Sequence, residues 1–285
     1  VNSETALPPI VSAGDVPAAG DGVVIADVRW SLSGPKDAAT FREEYATGHI
    51  PGAVFVDLDD DLSDHSVTGA GRHPLPREDD FAATRARLGI GPDTRVYAYG
   101  TDDPAGAARL VLMLRFSGIA AALIDGGLPA YRAAHPDVPM EPGHNDPTPV
   151  ETVEEPLVRL VSIDEVAYAA HSRSALLVDA RAPERFRGDV EPVDPRAGHI
   201  PTAVNVPYAA HLQADGTFRS PEQIRRTFED AGATGERIVI NYCGSGVSAC
   251  VNVLAMEHAG LRHGYLFPGS FSEWSADPQR EVETR

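Results

Sequence analysis

The chain has 285 residues, 42% hydrophobic and 23% charged, with a formal net charge of −18. That balance supports a sizeable core and two domains of ordinary size, while the acidic excess excludes nucleic acid and anionic membrane as partners, since both need basic patches. The only cysteines are Cys243 and Cys250; without a disulfide framework or four soft ligands, a reducing, cytoplasmic setting with no metal and no cofactor is expected. No apolar run reaches transmembrane length, and the opening Val1-Asn2-Ser3-Glu4 lacks the basic and apolar parts of a signal peptide.

In chain order, Ser12 to Val16 reads as a helix start, Val23 to Asp27 as a buried strand and Phe41 to Ala46 as helix, followed by Gly48-His49-Ile50-Pro51-Gly52-Ala53-Val54. Arg95 to Tyr99 is a second strand, Ala105 to Phe116 a helix, and Leu123 to Gly127 a strand end with its turn. The second half repeats this plan. Ser162 to Val166 is a capping-box start, Leu176 to Asp179 a strand, and Gly198-His199-Ile200-Pro201 lies 150 positions beyond Gly48. Ser220-Pro221 opens another helix, and Arg237 to Asn241 and Tyr265 to Gly269 match Arg95 to Tyr99 and Leu123 to Gly127. The expected architecture is α/β: a duplicated domain, each copy a parallel sheet flanked by helices. The expected boundaries are a first domain over 1–137, a Pro- and acid-rich linker over 138–157 and a second domain over 158–285.

The chemistry centres on Ile238-Val239-Ile240-Asn241-Tyr242-Cys243-Gly244-Ser245-Gly246-Val247-Ser248. Ile238 to Tyr242 has the length and β-branching of a buried strand, and Val247 to His258 has helical spacing with Gly260 as a stop. Cys243 therefore sits at a strand's carboxyl end, where ligands of parallel sheets bind, just before a helix. The N–H groups of Gly244, Gly246, Val247 and Ser248, with the helix dipole, suit a thiolate and any anionic sulfur or oxygen group on it. Lowering a thiol pKa by roughly two units takes about 2.7 kcal/mol of differential stabilisation. The alternative is a small apolar residue packed at a strand end. In the first copy the corresponding residue is Thr101, followed by Asp102 and Asp103, which repel anions. Cys250, two turns along the same helix, reads as core packing, and His49 and His199, equivalent in the two copies, as structural.

Those segments, with Asp179-Ala180-Arg181, Arg185-Phe186-Arg187-Gly188 and Phe267-Pro268-Gly269-Ser270-Phe271-Ser272-Glu273-Trp274, resemble the tandem-domain rhodaneses, a sulfurtransferase family that includes thiosulfate and 3-mercaptopyruvate sulfurtransferases. The resemblance implies a ping-pong transfer. A Cys243 thiolate takes the sulfane sulfur of a small anionic donor, and the persulfide passes it to a thiol, thioredoxin-like or cyanide acceptor. It also implies a relay of Ser245, His73 in Gly71-Arg72-His73-Pro74-Leu75-Pro76, and Asp59, and makes Arg185 the donor-anion arginine. A second arginine is implied shortly after Glu191-Pro192, where Val193 stands and Arg196 is the nearest candidate. From the residues alone, His73 reads as a loop histidine, Asp59 as part of the solvated acidic run Asp57 to Asp61, and Arg185 as a surface partner of Glu184 or Asp189. Ser270 and Trp274 read as wall and packing residues.

Two other classes compete. A cysteine phosphatase requires arginine six positions after its nucleophile, and Ala249 stands there. A rhodanese module that binds partners, or carries persulfide without turnover, is the alternative outside enzyme catalysis.

Overall fold

The computed structural model describes residues 7–31, 38–235, 237–261 and 264–285; the opening stretch Val1 to Glu4 lies outside them. The chain forms two compact units. The first comprises the described residues of Val1–Ser63, Pro76–Val158 and Ala214–Phe218, and the second those of Asp64–Leu75, Arg159–Gln213 and Arg219–Arg285. Among the described residues no helix is long and apolar enough to cross a membrane.

In the first unit, β1 (Ile10–Val11), β2 (Val23–Val28), β3 (Val54–Val56), β4 (Arg95–Tyr99) and β5 (Ala121–Ile124) form a parallel sheet in the order β1-β5-β4-β2-β3. Around it lie α1 (Ala38–Thr47), α2 (Leu58–Asp61), α3 (Glu78–Arg87), α4 (Ala105–Phe116) and α5 (Gly127–Ala134). β5 is buried along its whole length, as strands covered on both faces must be. The Ser12 start yields only a 3₁₀ turn, Ala13–Asp15. Pro17 forces Val16 into extended backbone and ends the turn there. The proline- and acid-rich stretch after α5 packs back on this unit: Val150 N–H donates to the Ala86 carbonyl (3.0 Å) and Thr152 Oγ1 to that of Ala82 (2.9 Å).

The second unit carries β6 (Leu176–Asp179), β7 (Val204–Asn205), β8 (Val239–Tyr242) and β9 (Gly264–Leu266) in a parallel sheet ordered β7-β6-β8-β9. Its helices are α6 (Ile163–Ser172), α7 (Pro183–Arg187), α8 (Pro221–Asp230), α9 (Ala249–His258) and α10 (Ser270–Ala276). Reciprocal capping boxes, Ser162 with Glu165 and Ser220 with Gln223, start α6 and α8. β8 begins one residue later than its apolar run, because Ile238 is 41% exposed, and α9 begins at Ala249, after the chain has turned through Gly246 at φ +77°.

The duplication extends to buried polar contacts. Asp27 binds Arg29 in the first unit and Asp179 binds Arg181 in the second, each arginine also donating to a glycine carbonyl, Gly48 or Gly198. The Tyr99 and Tyr242 hydroxyls accept the N–H groups of Ile50 and Ile200. His49 stacks on Tyr45 and His199 on Phe186, ring centroids 3.9 and 3.8 Å apart, with Nδ1 of each on the carbonyl of its stacking partner. Each histidine is thus a buried spacer of its own unit.

Candidate active site

Cys243 follows directly on β8, and its loop is held by hydrogen bonds from both sides. Cys243 N–H donates to Ser270 Oγ (3.1 Å), while its carbonyl accepts Phe271 N–H and that of Gly244 accepts Ser272 N–H. Ser270, expected as a wall residue, is thus a clasp; its φ of +53° turns the hydroxyl back onto the Phe267 carbonyl and the Cys243 amide. The thiol is buried, and Sγ accepts the Gly246 N–H at 3.1 Å. Gly246 is required twice over: its φ is left-handed, and a Cβ there would overlap the Pro268 carbonyl. Cys250 is buried on α9 and its thiol donates to the Gly246 carbonyl (3.3 Å), so it braces the loop as well as filling the core. Val247 and Ser248 are buried at the loop's end.

The segment Asp64–Leu75, which precedes α3 in the chain, belongs to this second unit. Asp64 N–H closes it on the Pro74 carbonyl (2.9 Å), and Arg72 N–H donates to Ser272 Oγ (3.1 Å). At Gly71, φ +89°, a Cβ would sit 2.6 Å from the Gly269 carbonyl oxygen, so the segment lies directly on the loop before α10. This brings His73 Nδ1 to 2.7 Å from Ser245 Oγ. His73 is half-buried and Ser245 buried, so the pair is shielded yet within reach of solvent.

Arg185 lies on α7 with its side chain 11% exposed, and pairs with neither Glu184 nor Asp189, the partners its sequence neighbourhood suggested. It binds Glu191 (2.7 Å) and Asp194 (3.0 Å), because the turn 191–194 folds back over α7; Asp189 is taken by Arg187 and Arg285. Glu191 Oε1 also accepts the N–H groups of Val193 and Asp194. Burial alone would push the Glu191 pKa up, but the Arg185 hydrogen bond and those amides hold it below the ordinary value. Asp194 is raised, burial outweighing the attraction of Arg72 and Arg185. Arg196 donates to the carbonyls of Trp274, Ser275, Asp277 and Arg280, so its guanidinium caps the end of α10 and does not fill the place of the arginine expected after Glu191-Pro192. The result is an alternating array of Asp179, Arg181, Glu191, Arg185, Asp194 and Arg72, joined pair by pair.

Gly244 faces the end of that array: a Cβ there would lie 2.7 Å from Arg72 Nη2 and 3.5 Å from Arg185 Nη1. Arg72 was not singled out in the sequence, although it adjoins His73; the reach of one side chain to Ser245 implies that its neighbour also lies near the loop. Asp59 is an exposed residue of α2 in the first unit, its N–H capped by the Asp57 carboxylate (2.8 Å). Burial raises the Asp57 pKa, against the two backbone N–H groups that it accepts. Among the described residues, no group of three or more His, Cys, Asp or Glu side chains could hold a metal ion.

The site and the fold together define a duplicated parallel α/β protein in which a cysteine loop joins strand to helix in the second copy, with Thr101 at the equivalent place in the first. The rhodanese-like domain model matches residues 17–134 and 162–277, and the chain belongs to that family. SseB of Mycobacterium tuberculosis, whose name assigns it provisionally to the thiosulfate sulfurtransferases, is 46% identical over 268 residues, covering 93% of this chain and 92% of its own. The 3-mercaptopyruvate sulfurtransferase of Escherichia coli is 33% identical over 270 residues, 92% of each. The crystal structure of SseA from Escherichia coli superposes with a TM-score of 0.79 at 30% identity, covering 93% of this chain and all of the other.

Proposed function

We propose that the chain is a sulfurtransferase that moves a sulfane sulfur from 3-mercaptopyruvate or thiosulfate to a thiol or cyanide acceptor through a persulfide on Cys243. The observation that carries this reading is the Cys243 loop, where Sγ takes the Gly246 N–H while two guanidiniums overlie the next residue. The Cys243 thiolate attacks the outer sulfur of the donor. With thiosulfate the S–S bond breaks and sulfite leaves with the electron pair. With 3-mercaptopyruvate the C–S bond breaks, the pair enters the adjacent carbonyl as an enolate, and protonation at carbon gives pyruvate. The acceptor then attacks the outer persulfide sulfur and restores the thiolate.

Ser245 and His73 serve the 3-mercaptopyruvate branch, which alone has a donor thiol to hold and a carbon to protonate. The hydroxyl meets the substrate and His73 Nδ1 holds its proton. Arg185 neutralises the donor's anionic end. A reducing cytoplasmic setting suits a nucleophile that must return to thiolate after each cycle.

Purified protein incubated with either donor is expected to gain the mass of one sulfur atom on Cys243, and Cys243→Ser is expected to gain none. Absence of the adduct with both donors would overturn the reading. Loading without release to cyanide, dithiol or thioredoxin would make the protein a persulfide carrier instead.

A further inference from the structure

We propose that Arg72 is a second cationic arm of the donor site, gripping the carboxylate or sulfonate head of a small sulfane-sulfur donor together with Arg185; this rests on the sulfurtransferase reading above. The two guanidiniums converge on Gly244, one residue past the nucleophile, at 2.7 and 3.5 Å from where a Cβ would stand. They are held apart by one carboxylate: Asp194 Oδ2 takes Arg185 Nη2 (3.0 Å) and Oδ1 takes Arg72 Nη1. That leaves Arg72 Nη2 on the Gly244 side, beside Arg185 Nη1.

Exposure separates the roles of the arginines. Side chains of Arg181 and Arg185 are 2% and 11% exposed, but that of Arg72 is 29% exposed. An oxyanion entering from solvent therefore meets Arg72 first, and Arg185 completes the grip from the buried side. Planar guanidinium edges fit the paired oxygens of a carboxylate or sulfonate. The arm is also pre-positioned. The Arg72 N–H is fixed on Ser272 Oγ, and Gly71 presses its backbone on the Gly269 carbonyl. Little side-chain and loop freedom is then lost when the anion binds. In a chain of net charge −18, an anionic donor needs such a local concentration of positive charge.

The test uses two readouts on the full chain. Alkylation of Cys243, located by mass spectrometry, is timed with iodoacetate, which carries a carboxylate, and with iodoacetamide, which is neutral and of similar size. In both, the S–C bond forms as iodide leaves. Arg72→Met is expected to lower the iodoacetate-to-iodoacetamide rate ratio about tenfold or more, the loss of one charge-assisted hydrogen bond, with the iodoacetamide rate within about twofold of wild type; Arg72→Lys should recover part of the ratio. In turnover, Arg72→Met should raise KM for 3-mercaptopyruvate or thiosulfate about tenfold or more with kcat nearly kept. The donor with the larger rise identifies the head group that the arm prefers. An unchanged ratio, or equal slowing with both reagents, overturns the proposal and leaves Arg72 as a brace for Asp194. Because the alkylation ratio does not depend on sulfur transfer, it judges Arg72 even if neither donor loads Cys243.

Discussion

At the scale of single residues, a side chain's chemistry here is set by what faces it. His73 stands in a Pro-rich turn that says little by itself, yet its Nδ1 lies 2.7 Å from Ser245 Oγ. If that pair moves a proton for 3-mercaptopyruvate, His73→Ala should cut kcat with that donor about a hundredfold while thiosulfate turnover falls only a few-fold, because sulfite leaves without protonation. Equal losses with both donors would reduce His73 to a brace for the loop.

At the scale of elements, the decisive piece is the turn that connects β8 to α9. Its backbone is fixed by Ser270 and by the residues that open α10, and Gly246 must take a left-handed φ against the Pro268 carbonyl. Gly246→Ala should cost on the order of 1–3 kcal/mol in strain. It should also displace the N–H that bonds Sγ. The expected outcome is a lower Tm together with loss of sulfur loading on Cys243; full loading at wild-type rate would show that the Gly246 N–H is dispensable. Charge, by contrast, argues that exchanging Thr101 for cysteine would not make a second site. The loop after β4 continues into Asp102 and Asp103, whose charge opposes an anion.

For the molecule as a whole, one buried histidine predicts a pH dependence of stability. His211 is buried against Phe228, ring centroids 4.8 Å apart, and burial pushes its pKa down to about 4. Its folded pKa lies below the unfolded value of about 6.5, so between about 6.5 and about 4 the unfolded chain binds more protons. The stability from burying the neutral ring is therefore complete above that window and declines as pH falls through it, by up to about 1.4 kcal/mol per pH unit. Urea unfolding at about pH 7 and about pH 5 should show this decline in the wild type and a shallower one in His211→Phe; parallel slopes would assign the acid sensitivity to other groups.

How much could be read in advance follows from the range of the signals. The longer parallel strands, the Ser162 capping box, the Ser220 helix start, the duplication and the cysteine loop are legible because β-branched runs, Ser-x-x-Glu spacing, a proline at the first helical position and glycines act within a few residues of themselves. The Ser12 start was overread as a helix because its motif does not weigh the proline five positions on. Arg185 is legible as a candidate, but its partners are not, since they depend on how the turn 191–194 folds back over α7. Arg72 carries no local signal and Arg196 reads only as the nearest candidate after Glu191-Pro192, for the same reason: nothing local tells an arginine beside the Cys243 loop from one capping a helix. The sequence alone determined which residue is the candidate nucleophile, which copy of the domain carries it and the class of fold, because these rest on residue type and short periodicity. Only the tertiary structure decided which cations stand beside Cys243 and which carboxylates hold them, because residues some 170 positions apart share one loop there and burial fixes charge partners by distance.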